Sequence, residues 1–103
     1  KRFWVTGNNL SGTFPEAMLK NKIMQKLYLD ENSFSGYIPP EIAEMTKLRD
    51  IRINNNKFEG CPPSAIFTMP NLRILYLDKN EFACDLSSDI FRGPRLEDLQ
   101  LFS

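Results

Sequence analysis

The chain has 103 residues and 42% apolar content, and neither a linker nor a low-complexity tract divides it, so we expect one domain over residues 1–103. Thirteen basic residues balance 13 acidic ones without forming a basic stripe, which argues against a nucleic-acid partner. No apolar run approaches the roughly 20 residues needed to cross a bilayer, so no direct membrane insertion is expected in this segment.

The first predicted strand contains Phe3 and Val5, and the same apolar pair returns at a constant interval along the whole chain. The later pairs are Leu27/Leu29, Ile51/Ile53, Leu75/Leu77 and Leu99/Leu101. Apolar and polar residues alternate around each pair, which predicts short strands with one buried face. The interval is 24 residues. A unit of 24 residues cannot cover its own apolar face, so we expect stacked units whose strands form a parallel sheet.

An asparagine follows each of the first four apolar pairs by three positions. These asparagines are Asn8, Asn32, Asn56 and Asn80. Their amides carry both a donor and an acceptor, which suits them to satisfying backbone groups where the chain turns into the core. We interpret them as a structural asparagine ladder. Contact with a ligand is the alternative, and it is the weaker one because buried amides must be paired.

The second half of each unit predicts a short helix or 3₁₀ turn on the convex side. Ile42, Met45 and Leu48 are spaced by three residues, and Ile66, Met69 and Leu72 repeat the spacing. In the fourth unit, the corresponding apolar columns continue at Leu86 and Ile90.

These columns match the pattern L-x-x-L-x-L-x-x-N-x-L, as in the segment Met24–Phe34, and therefore resemble leucine-rich repeats. The segments Asn8–Pro15 and Asn32–Pro39 are similar to the N-x-L-S-G-x-I-P signature of plant-type repeats, which the last two units keep less completely. The resemblance implies an α/β solenoid, a right-handed superhelix of 24-residue repeats. It would have one parallel β-sheet on the concave face and 3₁₀ or helical turns on the convex side. Both ends fall inside a repeat, so we expect about four to five repeats without either terminal cap.

Cys84 follows Cys61 at one position less than the length of the repeat, which places the two cysteines on adjacent coils at a separation that a disulfide permits. Their neighbouring columns would face opposite ways in an extended segment, which argues against a bridge. A disulfide and two free thiols both remain open. The sequence Asn9-Leu10-Ser11 is an N-glycosylation sequon, which is compatible with secretion.

The residue between the paired apolar residues points away from the core in every predicted strand. This central column is Trp4, Tyr28, Arg52, Tyr76 and Gln100, and it is flanked by Arg2, Lys26, Asp50, Ile74 and Asp98 on one side and by Thr6, Asp30, Asn54, Asp78 and Phe102 on the other. Tryptophan, tyrosine and arginine dominate binding hot spots, so the central column predicts a partner-binding surface, with Lys26, Asp30, Asp50, Asn54 and Asp78 contributing from the flanks. The alternative is that the tyrosines only pack across the strand ladder.

Catalysis has little support in the sequence. No histidine is present, so the commonest general base and any Ser-His or Cys-His pair are missing. Acids two coils apart would be separated by about 9.6 Å on an open face. Two cysteines without histidine fall short of a zinc site, and the carboxylates lack the spacing of a calcium loop. We expect a protein that is not an enzyme and uses no cofactor or metal.

The predicted function is a non-catalytic scaffold that binds a protein or peptide ligand on its concave sheet. The resemblance implies part of a receptor-like ectodomain, located outside the cell or at the cell surface, within a longer chain or larger assembly. Two alternatives stay open. One is a structural subunit permanently docked in a large assembly, and the other is a secreted inhibitor of a cell-wall-degrading enzyme.

Overall fold

The computed structural model describes residues 2–84 and 94–101, which form a stack of similar coils. The predicted positions Leu86, Ile90 and Phe102 lie outside the described residues. Each complete coil runs through a strand, an asparagine turn, a second short strand and a 3₁₀ helix before it returns to the next coil.

The concave sheet is built from the five predicted strands. They are β1 (Arg2–Trp4), β3 (Lys26–Tyr28), β5 (Asp50–Arg52), β7 (Ile74–Tyr76) and β9 (Asp98–Gln100), all parallel and adjacent in that order. Leu27 lies beside Ile51 and Ile51 beside Leu75, which is the register that the repeat of the sequence predicts. These side chains are fully buried, whereas the residues on either side of them face outward.

A second parallel sheet accompanies the concave one, in addition to the single sheet that the sequence predicts. Its four strands are β2 (Ser11–Thr13), β4 (Ser33–Gly36), β6 (Lys57–Gly60) and β8 (Glu81–Phe82). Its register is two positions shorter than that of the concave sheet, since Ser35 lies beside Lys57. β4 and β6 each bury a single apolar residue, Phe34 or Phe58, so no alternating apolar pattern marks this sheet in the sequence.

Short 3₁₀ helices form the convex side, as predicted. They span Glu16–Lys20, Pro40–Glu44 and Ser64–Thr68. Each follows a proline, Pro15, Pro39 or Pro63, whose ring fixes the backbone dihedral before the turn. Met18, Ile42 and Ile66 turn inward from these helices and close the core against the concave sheet.

Three of the four predicted ladder asparagines connect neighbouring coils. The side chains of Asn32, Asn56 and Asn80 each donate to three backbone carbonyls and accept at least one backbone N–H from the coil before. Asn8 differs, because it is exposed and makes no side-chain hydrogen bond to any residue in the described ranges. Its counterparts bond to the coil that precedes them, and no coil precedes Asn8 in the described residues.

Cys61 and Cys84 are joined by a disulfide, with their Cα atoms 5.6 Å apart. The structure therefore has the bridge and not two free thiols. The argument from opposite faces fails because neither cysteine belongs to a strand. β6 ends at Gly60, whose φ of +73° turns the chain, and β8 ends at Phe82.

Candidate binding surface

Arg52 stacks between two tyrosines at the centre of the concave sheet. Its guanidinium carbon lies 4.7 Å from the ring centroid of Tyr28 and 5.2 Å from that of Tyr76. The three residues occupy equivalent positions on β3, β5 and β7, so the strand register itself brings them together. An arginine that faces two rings in this way is attracted by both ring quadrupoles.

The Asp50 carboxylate holds this stack through hydrogen bonds to two of its members. It is only 5% exposed, and its carboxylate accepts both Arg52 Nε at 3.0 Å and Arg52 Nη2 at 3.1 Å. The Tyr28 hydroxyl donates to the same carboxylate at 2.8 Å. The sequence places Asp50 and Arg52 among the partner-contacting residues, and in the structure their charges pair with each other. These contacts hold the Tyr28 hydroxyl and place the Arg52 guanidinium against both tyrosine rings.

Tyr76 is held in the same manner by the next strand, since its hydroxyl donates to Asp98 Oδ2 at 2.6 Å.

Burial and the hydrogen bond to Asp50 raise the pKa of Tyr28 above its usual value of 10.0. The hydrogen bond to Asp98, together with burial, raises the pKa of Tyr76 in the same direction. The bond to Asp50 also raises the pKa of Arg52. At neutral pH the cluster is therefore two neutral phenols around a fixed guanidinium.

Trp4 extends the aromatic surface onto β1. Its ring meets the Tyr28 ring edge to face, with centroids 6.1 Å apart, and the Arg2 guanidinium lies 5.1 Å from the tryptophan centroid. Trp4 remains 60% exposed, the most open aromatic residue of the sheet. Lys26 on β3 and Gln100 on β9 are also exposed. We call the residues Trp4, Tyr28, Arg52 and Tyr76 the aromatic column.

A polar column runs beside the aromatic column where the strands end, and it consists of Thr6, Asp30, Asn54 and Asp78. The Thr6 hydroxyl donates to Asp30 Oδ1 at 2.7 Å. Asn54 Oδ1 and Asp78 Oδ1 are also buried, but neither has a hydrogen-bond partner among the described residues. Asp78 as a whole is only 9% exposed.

The sequence interpretation did not assign roles to Arg2, Thr6 and Asp98, which the structure places in these contacts. Two of the tyrosine contacts have a signal that could have revealed them. In both Tyr28/Asp50 and Tyr76/Asp98, an acid follows a tyrosine by 22 residues, which puts it at the start of the next strand. The phenol of one strand can then reach the carboxylate of its neighbour.

The chemistry available on this surface is recognition by aromatic faces and polar groups. Within residues 2–84 and 94–101, no three or more Asp, Glu, His or Cys side chains gather as metal ligands would. No helix in those ranges has the length and apolar character needed to cross a membrane.

Comparison with known proteins places this architecture among plant receptor ectodomains. The family model described as Leucine Rich Repeat matches residues 24–45 and 47–69. The crystal structure of PEPR1-AtPEP1 superposes with a TM-score of 0.90 and 30% identity, covering 99% of this chain and 14% of that one. None of the curated protein sequences gives a significant match.

Two Arabidopsis receptor kinases are also similar. HAESA, in complex with an N-terminally extended IDA peptide hormone ligand, gives a TM-score of 0.87 and 31% identity, with 99% of this chain and 17% of that chain covered. GASSHO1/SCHENGEN3 from Arabidopsis thaliana, in complex with CASPARIAN STRIP INTEGRITY FACTOR 2, gives a TM-score of 0.85 and 27% identity. The match covers 96% of this chain and 12% of that chain. This chain therefore spans less than a fifth of the length of these relatives.

The repeat pattern, the parallel sheets, the 3₁₀ turns and these structural neighbours agree with one another. The chain belongs to the leucine-rich-repeat family, with repeats of the plant type.

Proposed function

We propose that this chain is a ligand-binding segment of a receptor-like ectodomain, and that its aromatic column contacts a protein or peptide ligand. The observation that carries the proposal is the arrangement of Tyr28 and Tyr76 around Arg52. Their hydroxyl groups are bound to carboxylates and their orientation is fixed, so little side-chain entropy remains to be lost on binding. The rings supply apolar area of the kind found at interface hot spots.

The similar structures support a protein or peptide partner. HAESA was crystallised with a peptide hormone ligand, and GASSHO1/SCHENGEN3 in complex with CASPARIAN STRIP INTEGRITY FACTOR 2. Leucine-rich-repeat ectodomains are in general non-catalytic binding scaffolds, and we infer the same for this chain.

An extracellular location is part of the same proposal. Both similar Arabidopsis proteins are receptor kinases, and one is named as a plant membrane receptor. The Cys61–Cys84 disulfide fits an oxidising compartment. Asn9, the acceptor residue of the sequon, is exposed and therefore accessible to a glycan.

The proposal is tested by selecting binders from a random peptide library on the purified chain and then measuring their affinity for variants. Replacing Tyr28 or Tyr76 with Ala is expected to lower the affinity of the selected peptides by about tenfold or more, which is the effect expected at an interface hot spot. Tyr37→Ala is the matched control, because Tyr37 is 68% exposed and lies beyond β4, outside the concave sheet.

Equal loss in all three variants would point to a general effect on folding, which the far-ultraviolet circular dichroism of each variant checks. Peptides that lose affinity only with Tyr37→Ala would contradict the proposal. The alternatives of a permanently docked subunit and of an enzyme inhibitor use the same surface, and no separate observation favours either of them.

A further inference from the structure

The turn between the concave sheet and the second sheet carries a free side-chain amide in the first coil. Asn9 lies in this turn, after β1 and before β2. It is exposed, and its side chain makes no hydrogen bond to any residue in the ranges 2–84 and 94–101. The backbone N–H groups of Asn8 and Leu10, on either side of it, donate to Asn32 Oδ1 at 3.1 and 2.9 Å. The turn is therefore held without help from the Asn9 amide.

This amide differs from those of the bonded ladder asparagines. In Asn32, Asn56 and Asn80, the Nδ2 atom donates to three backbone carbonyls and is enclosed between coils. The Asn9 side chain is open to solvent instead. Of these four residues, only Asn9 presents an amide nitrogen that an enzyme can reach.

Asn9 is also the one asparagine of the chain that starts an N-glycosylation sequon. Leu10 and Ser11 follow it, and no other asparagine in the sequence has Ser or Thr two positions later. Leu10 is 40% exposed and Ser11 is exposed as well, so the whole sequon lies on the surface. Surface accessibility is what the addition of a bulky, hydrophilic glycan requires.

The exposure of this position does not depend on its being in the first described coil. Lys57 and Glu81 occupy the equivalent position two and three repeats later, and both are exposed although another coil precedes each of them. Ser33, one repeat later, is half-buried. Long charged side chains at this position show that a hydrophilic group can project into water there while the coils remain packed.

We propose that Asn9 carries an N-linked oligosaccharide. In the transfer, Asn9 Nδ2 forms a bond to the anomeric carbon of the sugar and loses one proton to a base of the transferase. The bond from that carbon to the diphosphate of a lipid-linked oligosaccharide breaks, and the diphosphate leaves with the electron pair. The inference rests on the extracellular location that is part of the proposed function, and it adds a modification site to it.

The position of Asn9 keeps the glycan away from the aromatic column. Thr6 marks the exit end of the first strand in the polar column, and Gly7, with a φ of +70°, turns the chain before it reaches Asn9. Ser11, the first residue of β2, is only two positions further on. We therefore expect the glycan to exclude protein partners from the second sheet around β2 and to leave peptide binding on the concave sheet unchanged.

The test is secretion of the chain from cultured human cells behind a cleavable signal peptide, followed by mass spectrometry of the protein in the medium. We expect the mass of an oligosaccharide that peptide N-glycosidase F removes. In heavy-oxygen water, that enzyme is expected to convert Asn9 to a labelled aspartate. Asn9→Asp and Ser11→Ala are expected to lose the glycan, whereas Ser11→Thr keeps the sequon and is expected to keep the glycan.

Asn9→Asp also separates the modification from a role in folding. Asn9 has a φ of +58°, a left-handed conformation that Asn and Asp both tolerate better than most residues. The variant is therefore expected to keep the urea denaturation midpoint of the unglycosylated chain. Library-selected peptides are expected to bind the glycosylated chain and Asn9→Asp with equal affinity.

Secreted protein with the Cys61–Cys84 bridge formed and Asn9 unmodified would overturn the modification, because the chain would have passed through an oxidising compartment without receiving a glycan. Weaker peptide binding by the glycosylated chain than by Asn9→Asp would overturn the placement of the glycan outside the concave surface. Both results would leave the dependence of selected peptides on Tyr28 and Tyr76 in place. Loss of that tyrosine dependence would instead refute the proposed function itself.

Discussion

Replacing Asn56 with Ala gives the clearest test of what holds neighbouring coils together. The Asn56 side chain is nearly buried, with 7% exposure, and its Oδ1 accepts the Phe34 N–H at 3.0 Å. Its Nδ2 donates to the carbonyls of Leu29, Ile53 and Asn54 at 3.0, 3.2 and 3.3 Å. The variant removes all of these bonds in a region from which water is largely excluded.

The consequences for the partners are unequal. Each of the three carbonyls keeps a second donor, namely the Asn32 amide, the Asn80 amide and the Glu31 backbone N–H. Outside the strand ladder, no second acceptor for the Phe34 N–H is found among residues 2–84 and 94–101. An orphaned buried donor costs about 1–3 kcal/mol, and the three carbonyls, which each keep another donor, together lose about 1 kcal/mol, so we expect a loss of about 2–4 kcal/mol.

Urea denaturation followed by circular dichroism measures this loss, provided that the m-value does not change. Asn8→Ala is the internal control, because Asn8 is exposed, and its expected effect stays within about 0.5 kcal/mol. A loss below about 1 kcal/mol for Asn56→Ala, or equal losses for both variants, would refute the reasoning.

Three further predictions follow from the core, the disulfide and the aromatic column. Leu29→Ala, at a fully buried position, should cost about 2–5 kcal/mol in urea denaturation, and a loss below about 1 kcal/mol would contradict the packing. Replacing both Cys61 and Cys84 with Ser should cost roughly 3 kcal/mol for a loop of this length, and an unchanged denaturation midpoint would show that the bridge contributes nothing. The raised pKa of Tyr28 means that its contacts stabilise the fold below pH 10.0 and that this contribution is lost as the pH rises through the folded-state pKa. Asp50→Asn should move that pKa down towards 10.0, as read from the ring carbon resonances, and no movement would remove Asp50 as a cause.

The concave sheet could be predicted from sequence because each of its strands repeats the same alternation. A residue such as Ile51 is flanked by outward-facing neighbours in every coil, and the constant period aligns the strands without further information. The second sheet could not be predicted in this way. Each of its central strands buries one phenylalanine, and its shorter register follows from the asparagine turn between the two sheets.

The candidate surface was only partly predictable, for a different reason. Alternation places Arg52 and Asp50 on the outer face, but it does not reveal that they pair with each other. The disulfide shows the same limit, because alternation applies only inside strands and Cys61 follows a left-handed glycine. Side-chain pairing across coils depends on rotamers and turn geometry, which the period does not encode.

A crystal structure of this chain with a library-selected peptide would test the central claim most directly. We predict that the peptide lies across the concave sheet, with its apolar side chains against the rings of Trp4, Tyr28 and Tyr76. A peptide seated on the second sheet or against the convex 3₁₀ helices, with those three rings still open to solvent, would contradict the account.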